Sequence, residues 1–142
     1  MNVPDEMRTT SNKKDTQKLA KEILSDLSSN VILLQGELGA GKTTFAQGLL
    51  KAIGAEGPFT SPTFVIMKEY RAEDRRICHI DAYRVGAKDI LQLGWEEIIA
   101  DKRNLVIVEW PERIKKLWPK KYLKINFEVI DENKRKIKID NN

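Results

Sequence analysis

The chain has a single cysteine, Cys78, and none of its apolar runs approaches the length of a membrane span. A lone thiol excludes an internal disulfide and a cysteine metal cluster, so Cys78 is expected as a small buried residue in a strand. The opening MNVPDEMRTT lacks the apolar core of a signal peptide, and a cytoplasmic location is expected. No repeat or low-complexity linker interrupts the sequence. With 32% charged and 41% hydrophobic residues, the composition is that of a soluble globular protein. One domain over residues 1–142 is expected, with residues 1–10 flexible.

What is present starts with GELGAGKTTF. Gly36, four further residues and then Gly41, Lys42 and Thr43 satisfy G-x-x-x-x-G-K-[ST], a loop whose backbone N–H groups converge on phosphate oxygens. Val31 to Leu34 is a short apolar run ahead of it, and Phe45, Leu49, Leu50 and Ile53 follow at helical spacing. Strand, Gly-rich turn and helix therefore come in the required order. The helix N-terminus adds unpaired N–H groups and a positive dipole end to the charge of Lys42. Thr43 would put its hydroxyl on Mg²⁺.

The remaining pattern is mixed. Ser11 can cap a first helix reaching about Leu27, whose apolar face holds Leu19, Ile23, Leu24 and Leu27. Thr63 to Tyr70 and Arg76 to Tyr83 read as two strands of a hairpin, and Asn104 to Glu109 as a buried strand. Ala87 to Ala100 reads as helix broken at Gly94, and Pro111 to Trp118 as a short helix started by proline. Tyr122 to Asp131 and Lys134 to Asp140 form a last hairpin. Strands with few crossover helices imply an α/β fold: a P-loop NTPase-like domain whose mixed sheet has a parallel centre and antiparallel hairpins at its edges.

Three further segments carry chemistry. Leu105 to Glu109 ends a buried strand in a carboxylate, the position from which P-loop proteins reach Mg²⁺ or orient water. In His79 to Arg84, alternation puts His79, Asp81 and Tyr83 on one face. Asp81 is a candidate for positioning water, whereas His79 reads as a hydrogen-bonded sheet residue. Thr60 to Phe64 gathers hydroxyls around Pro62, and reads equally as a proline turn or as a loop that responds to a γ-phosphate.

In this order and spacing, G-x-L-G-A-G-K-T-T-F, S-P-T-F, H-x-D-x-Y-R, Leu93 with Gly94, and V-E-W-P from Val108 to Pro111 resemble the bacterial tRNA threonylcarbamoyladenosine biosynthesis ATPase family, TsaE, formerly called YjeE. The resemblance covers nearly the whole chain. It implies a cytoplasmic ATPase using ATP and Mg²⁺, acting with TsaD and TsaB in modifying adenosine 37 of tRNA. By motif, Gly36, Gly39, Ala40, Gly41, Lys42, Thr43 and Thr44 would bind the phosphates. Thr43 and Glu109 would hold the metal, and Asp81 with Glu109 would support hydrolysis. Ser61 and Thr63 would belong to the switch-like loop. Trp110 would lie near the nucleotide or pack as a rim residue, and Ser11 and Arg135 would fall on the adenine-ribose side.

Two other classes stay open. A small-molecule kinase shares the P-loop but needs a basic lid, and the interval between the nucleotide strands holds a hairpin and an amphipathic stretch instead. A nucleotide-regulated RNA-binding module is suggested by the region from Pro111 onward, where ten Lys or Arg outnumber five Asp or Glu. A solvated basic hairpin explains that run as well, and direct contact with tRNA would show as salt-dependent affinity. No N-K-x-D guanine reader is present.

Overall fold

The computed structural model describes residues 4–59 and 66–142. Seven strands form one sheet: β1 (Glu6–Thr10), β2 (Val31–Gly36), β3 (Met67–Ala72), β4 (Arg75–Asp81), β5 (Asn104–Glu109), β6 (Leu123–Val129) and β7 (Arg135–Asn141), in the order β1-β7-β6-β2-β5-β4-β3. The four inner strands β6, β2, β5 and β4 are mutually parallel. The pairs β3–β4, β6–β7 and β1–β7 are antiparallel. This is the mixed α/β sheet expected from the sequence, with a parallel centre and antiparallel edges.

The helices divide between the two faces. α1 (Lys13–Asp26) and α2 (Lys42–Ile53) lie on one, where Leu19, Ile23, Phe45 and Leu49 pack over Ile32, Leu34, Ile107 and Ile125. The short helices α3 (Ala87–Gln92) and α4 (Trp95–Ala100), with the 3₁₀ segment Pro111–Leu117, cover the other, where Ile90, Trp95, Ile98 and Ile114 meet Val31, Leu33, Val106 and Val108. Because β2 and β5 are covered on both faces, their central runs, residues 31–34 and 105–108, are continuously apolar instead of alternating. At Gly48 the helices come so close that a Cβ would lie 2.9 Å from Gln17 Cα.

Two expectations shift. α1 is capped by Asn12, not Ser11: the Asn12 side chain accepts from the Asp15 amide at 2.8 Å, while the Ser11 amide donates to the Asp15 carboxylate at 3.1 Å. Both residues are good caps, and the start moved by one position. Residues 6–10, expected to be loose, form the edge strand β1, tied by its backbone to β7 and by the buried Thr10–Thr16 hydroxyl pair at 2.9 Å.

Candidate nucleotide-binding site

The C-terminal ends of β2, β4 and β5 meet at one edge of the sheet, the edge where open α/β sheets bind ligands. Register places Asp81 beside Glu109, and Glu109 beside Leu34. The loop leaving β2 then turns back to start α2. Gly36 allows this turn, since a Cβ there would fall 2.7 Å from the Phe127 carbonyl oxygen. Gly41, at φ 107°, is the N-cap of α2 and offers no side chain to it. The first-turn N–H groups therefore lack partners within the helix and open toward a cavity of about 620 Å³. Gly39, Gly41, Lys42, Thr43 and Thr44 form its floor, with Asp81, Glu109, Trp110 and Arg135 around it.

Lys42 is buried. Its ammonium donates to the Gly36 carbonyl at 2.5 Å and sits 3.5 Å from the centroid of the Trp110 ring. Burial pushes its pKa down, against the attraction of Glu109, Glu112 and Asp81. Trp110 reaches this position through a left-handed backbone at φ 59°, unusual for so bulky a residue. Its other neighbour is Tyr83, with ring centroids 4.8 Å apart.

Below Lys42, the Thr43 hydroxyl donates to Glu109 Oε1 at 3.4 Å, and Glu109 Oε2 lies 2.6 Å from His79 Nε2. Asp81 Oδ1 accepts from the Tyr83 amide at 2.9 Å, so it caps the turn after β4 and also lines the cavity. Among the described residues, no group of three or more His, Cys, Asp and Glu could hold a metal by itself. A hydroxyl and a carboxylate beside an anion-binding loop suit a hard dication such as Mg²⁺, which takes its other ligands from phosphate and water.

Arg135 reaches the loop from β7. Its Nε donates to the Ala40 carbonyl and its Nη2 to the Gly39 carbonyl, both at 3.1 Å. Its Nη1 donates to the carbonyls of Asp131, Glu132 and Lys134. The side chain thus staples the β6–β7 turn to the Gly-rich loop. Gly36, Ala40 and Ser11 do not line the cavity, whereas Asn12, Lys13 and Thr16 do. Ser61 and Thr63 fall outside the described residues. Among the members of the site that the sequence did not assign are Asn12, Lys13, Thr16 and Tyr83, which line the cavity, and His79 beneath it. His79 is the hydrogen-bonded sheet residue it was taken for, but its partner is Glu109; the visible signal was a polar position on the Asp81 face.

With that geometry in place, comparisons place the chain among known proteins. Residues 10–137 match the family model described as threonylcarbamoyl adenosine biosynthesis protein TsaE. The chain is 39% identical to the tRNA threonylcarbamoyladenosine biosynthesis protein TsaE of Rickettsia felis, over 91% of this chain and 76% of that one. It is 43% identical to the protein of the same name from Aquifex aeolicus, over 89% of each. Its fold matches the crystal structure of Bacillus subtilis YdiB with a TM-score of 0.79, at 28% identity, over 98% of this chain and 86% of that one. Among the described residues, no helix is long and apolar enough to cross a membrane.

Proposed function

The chain belongs to the TsaE family of proteins of tRNA threonylcarbamoyladenosine biosynthesis, and from that premise we propose that it binds ATP with Mg²⁺ over the Gly-rich loop and hydrolyses it to drive a TsaD–TsaB synthase. Adenosine 37 of tRNA is then the acceptor of that synthase, in the cytoplasm, and not a substrate of this chain.

One observation carries the reading. The uncapped N-terminus of α2, the Lys42 ammonium and the Thr43–Glu109 oxygen pair converge on a single cavity. In this assignment Gly39 to Thr44 receive the phosphates through backbone N–H groups. Lys42 leaves Gly36 and the Trp110 ring for phosphate oxygens. Thr43 and Glu109 would hold Mg²⁺, which when bound would draw off phosphate charge. Asp81, with one oxygen engaged by the Tyr83 amide, uses the other to orient the attacking water. The water oxygen bonds to the γ-phosphorus, the bond from phosphorus to the ADP oxygen breaks, and the proton ends on phosphate. Ribose and adenine lie toward Ser11 and Arg135, and Ser61 and Thr63 respond to the γ-phosphate.

The test follows the label. With γ-labelled ATP, slow release of free phosphate by the chain alone, rising when TsaD and TsaB are added, supports the proposal. TsaD with TsaB should also bind the chain more tightly with ATP than without nucleotide, since ATP shifts an assembly only through such a difference. Label recovered on a small acceptor would assign the chain to the kinases instead.

A further inference from the structure

We propose that His79 is the positioning residue of Glu109, holding the carboxylate so that its Oε1 faces the Thr43 hydroxyl where Mg²⁺ is to be bound. The inference rests on the nucleotide reading above and extends it to a residue that touches neither nucleotide nor metal.

β4 and β5 run in parallel with His79 opposite Ile107, and Asp81 opposite Glu109. His79 therefore sits one pleat below Asp81 on the face covered by α2. Its same-face neighbours Ile77 and Ile107 belong to the apolar core. The imidazole is only 1% exposed there. Nε2 lies 2.6 Å from Glu109 Oε2, while Nδ1 is buried and has no hydrogen-bond partner among the described residues. A carboxylate only accepts, so the nitrogen that faces Glu109, Nε2, is the one that donates. A histidine placed to serve packing or the sheet alone would have both nitrogens satisfied, or would be apolar. This one leaves a nitrogen unpaired in order to bring the other against Glu109.

Glu109 needs such a hold. Its side chain is long, it is 4% exposed, and two groups draw it in different directions. Thr43 offers a weak contact at 3.4 Å. The Lys42 ammonium attracts it electrostatically. With Oε2 pinned by His79, the remaining oxygen is directed to Thr43. Freed from His79, the carboxylate can turn to Lys42, which removes the metal ligand and neutralises the phosphate-binding cation together. Partners that orient a metal-binding carboxylate typically change metal affinity or activity by about 10- to 100-fold when removed.

His79 is the chain's one histidine, so the imidazole signals of ¹⁵N-labelled protein are its own. The expected spectrum shows the proton on Nε2, and resonances that move when Mg²⁺ is added to the ATP complex. An Nε2 without a proton, or no response to Mg²⁺ while calorimetry detects its binding, overturns the proposal. Variants give the second arm. His79→Gln places an amide N–H near the Nε2 position, His79→Asn places it near Nδ1, and His79→Phe has neither. The Mg²⁺ concentration that half-saturates ATP binding is expected to rise about tenfold or more in His79→Phe and His79→Asn. It should return toward wild type in His79→Gln, with nucleotide affinity in EDTA alike in all four proteins. Should His79→Phe not fold, the Gln and Asn pair decides. Equal Mg²⁺ dependence in every folded variant, or equal losses with and without Mg²⁺, overturns the positioning role and leaves the nucleotide reading standing. Wild-type protein that binds no ATP removes both.

Discussion

Lys42 shows how one side chain can be costly to the fold and necessary to the site. Burial outweighs the attraction of the nearby carboxylates, so its pKa is lowered. Lys42→Met is therefore expected to leave the thermal midpoint unchanged or raise it. Lys42→Ala, by contrast, removes a charge-assisted contact to phosphate, worth about 1.5 to 3 kcal/mol, and ATP affinity should fall about tenfold or more by titration calorimetry. Unchanged affinity would take the Gly-rich loop out of the argument. Cys78 makes the opposite case. It is fully buried, and burial pushes its thiol up. As pH rises through the ordinary thiol range, the unfolded chain ionises this group and the folded chain does not, so its contribution to stability falls there. A thiol reagent should accordingly label native protein only at the rate of opening, with a rate that rises with denaturant. Immediate labelling in buffer would contradict that burial.

Between elements, two contacts make predictions that local rules alone would reverse. Alanine is the better helix former by about 1 kcal/mol, so Gly48→Ala ought to stabilise α2. Its Cβ, however, would meet Gln17 Cα at 2.9 Å and Ala20 Cβ at 3.0 Å, and a backbone atom cannot give way like the end of a side chain. Overpacking of this kind costs about 1 to 3 kcal/mol, so net destabilisation is expected, read as a lower urea midpoint with the slope unchanged. The second contact is the Arg135 staple. Its fork reaches two loop carbonyls and the β6–β7 turn together, which a lysine cannot reproduce. The turn itself keeps the bonds from the Asn133 and Lys134 amides to Asp131. Arg135→Lys should thus preserve the turn but speed hydrogen exchange at the Ala40 amide and weaken ATP binding several-fold. Exchange at wild-type rates would reduce the staple to a surface contact.

At the scale of the molecule, the cavity joins segments far apart in sequence: the start of α1, the Gly-rich loop, the ends of β4 and β5, and the β6–β7 turn. A ligand there connects both sides of the sheet. With free Mg²⁺-ATP at a hundred times its Kd, the folded state should gain about 2.7 kcal/mol, a rise on the order of 10 °C in Tm for a chain of this length. Lys42→Ala at the same concentration should show less of it. A melting curve blind to nucleotide would mean that these walls do not enclose the ligand.

Much of this was written in adjacent residues. Helical spacing after the Gly-rich loop, the apolar runs of β2 and β5, the break at Gly94 and both hairpins are local patterns, and with them came the mixed sheet and the residues of the loop. β1 was not legible, because an edge strand paired on one side alone needs little apolar alternation; its place was decided by backbone pairing with β7 at the far end of the chain. Alternation put His79 and Asp81 on one face, yet the His79–Glu109 contact exists only because β4 lies beside β5 in that register. Arg135 likewise meets Gly39 and Ala40 across more than ninety residues. Periodicity and loop chemistry act between neighbours in sequence, so the sequence alone determined the phosphate loop and every element but the edge strand β1. Strand order and register balance the packing of the whole core, so only the tertiary structure decided which carboxylate each buried polar group would hold.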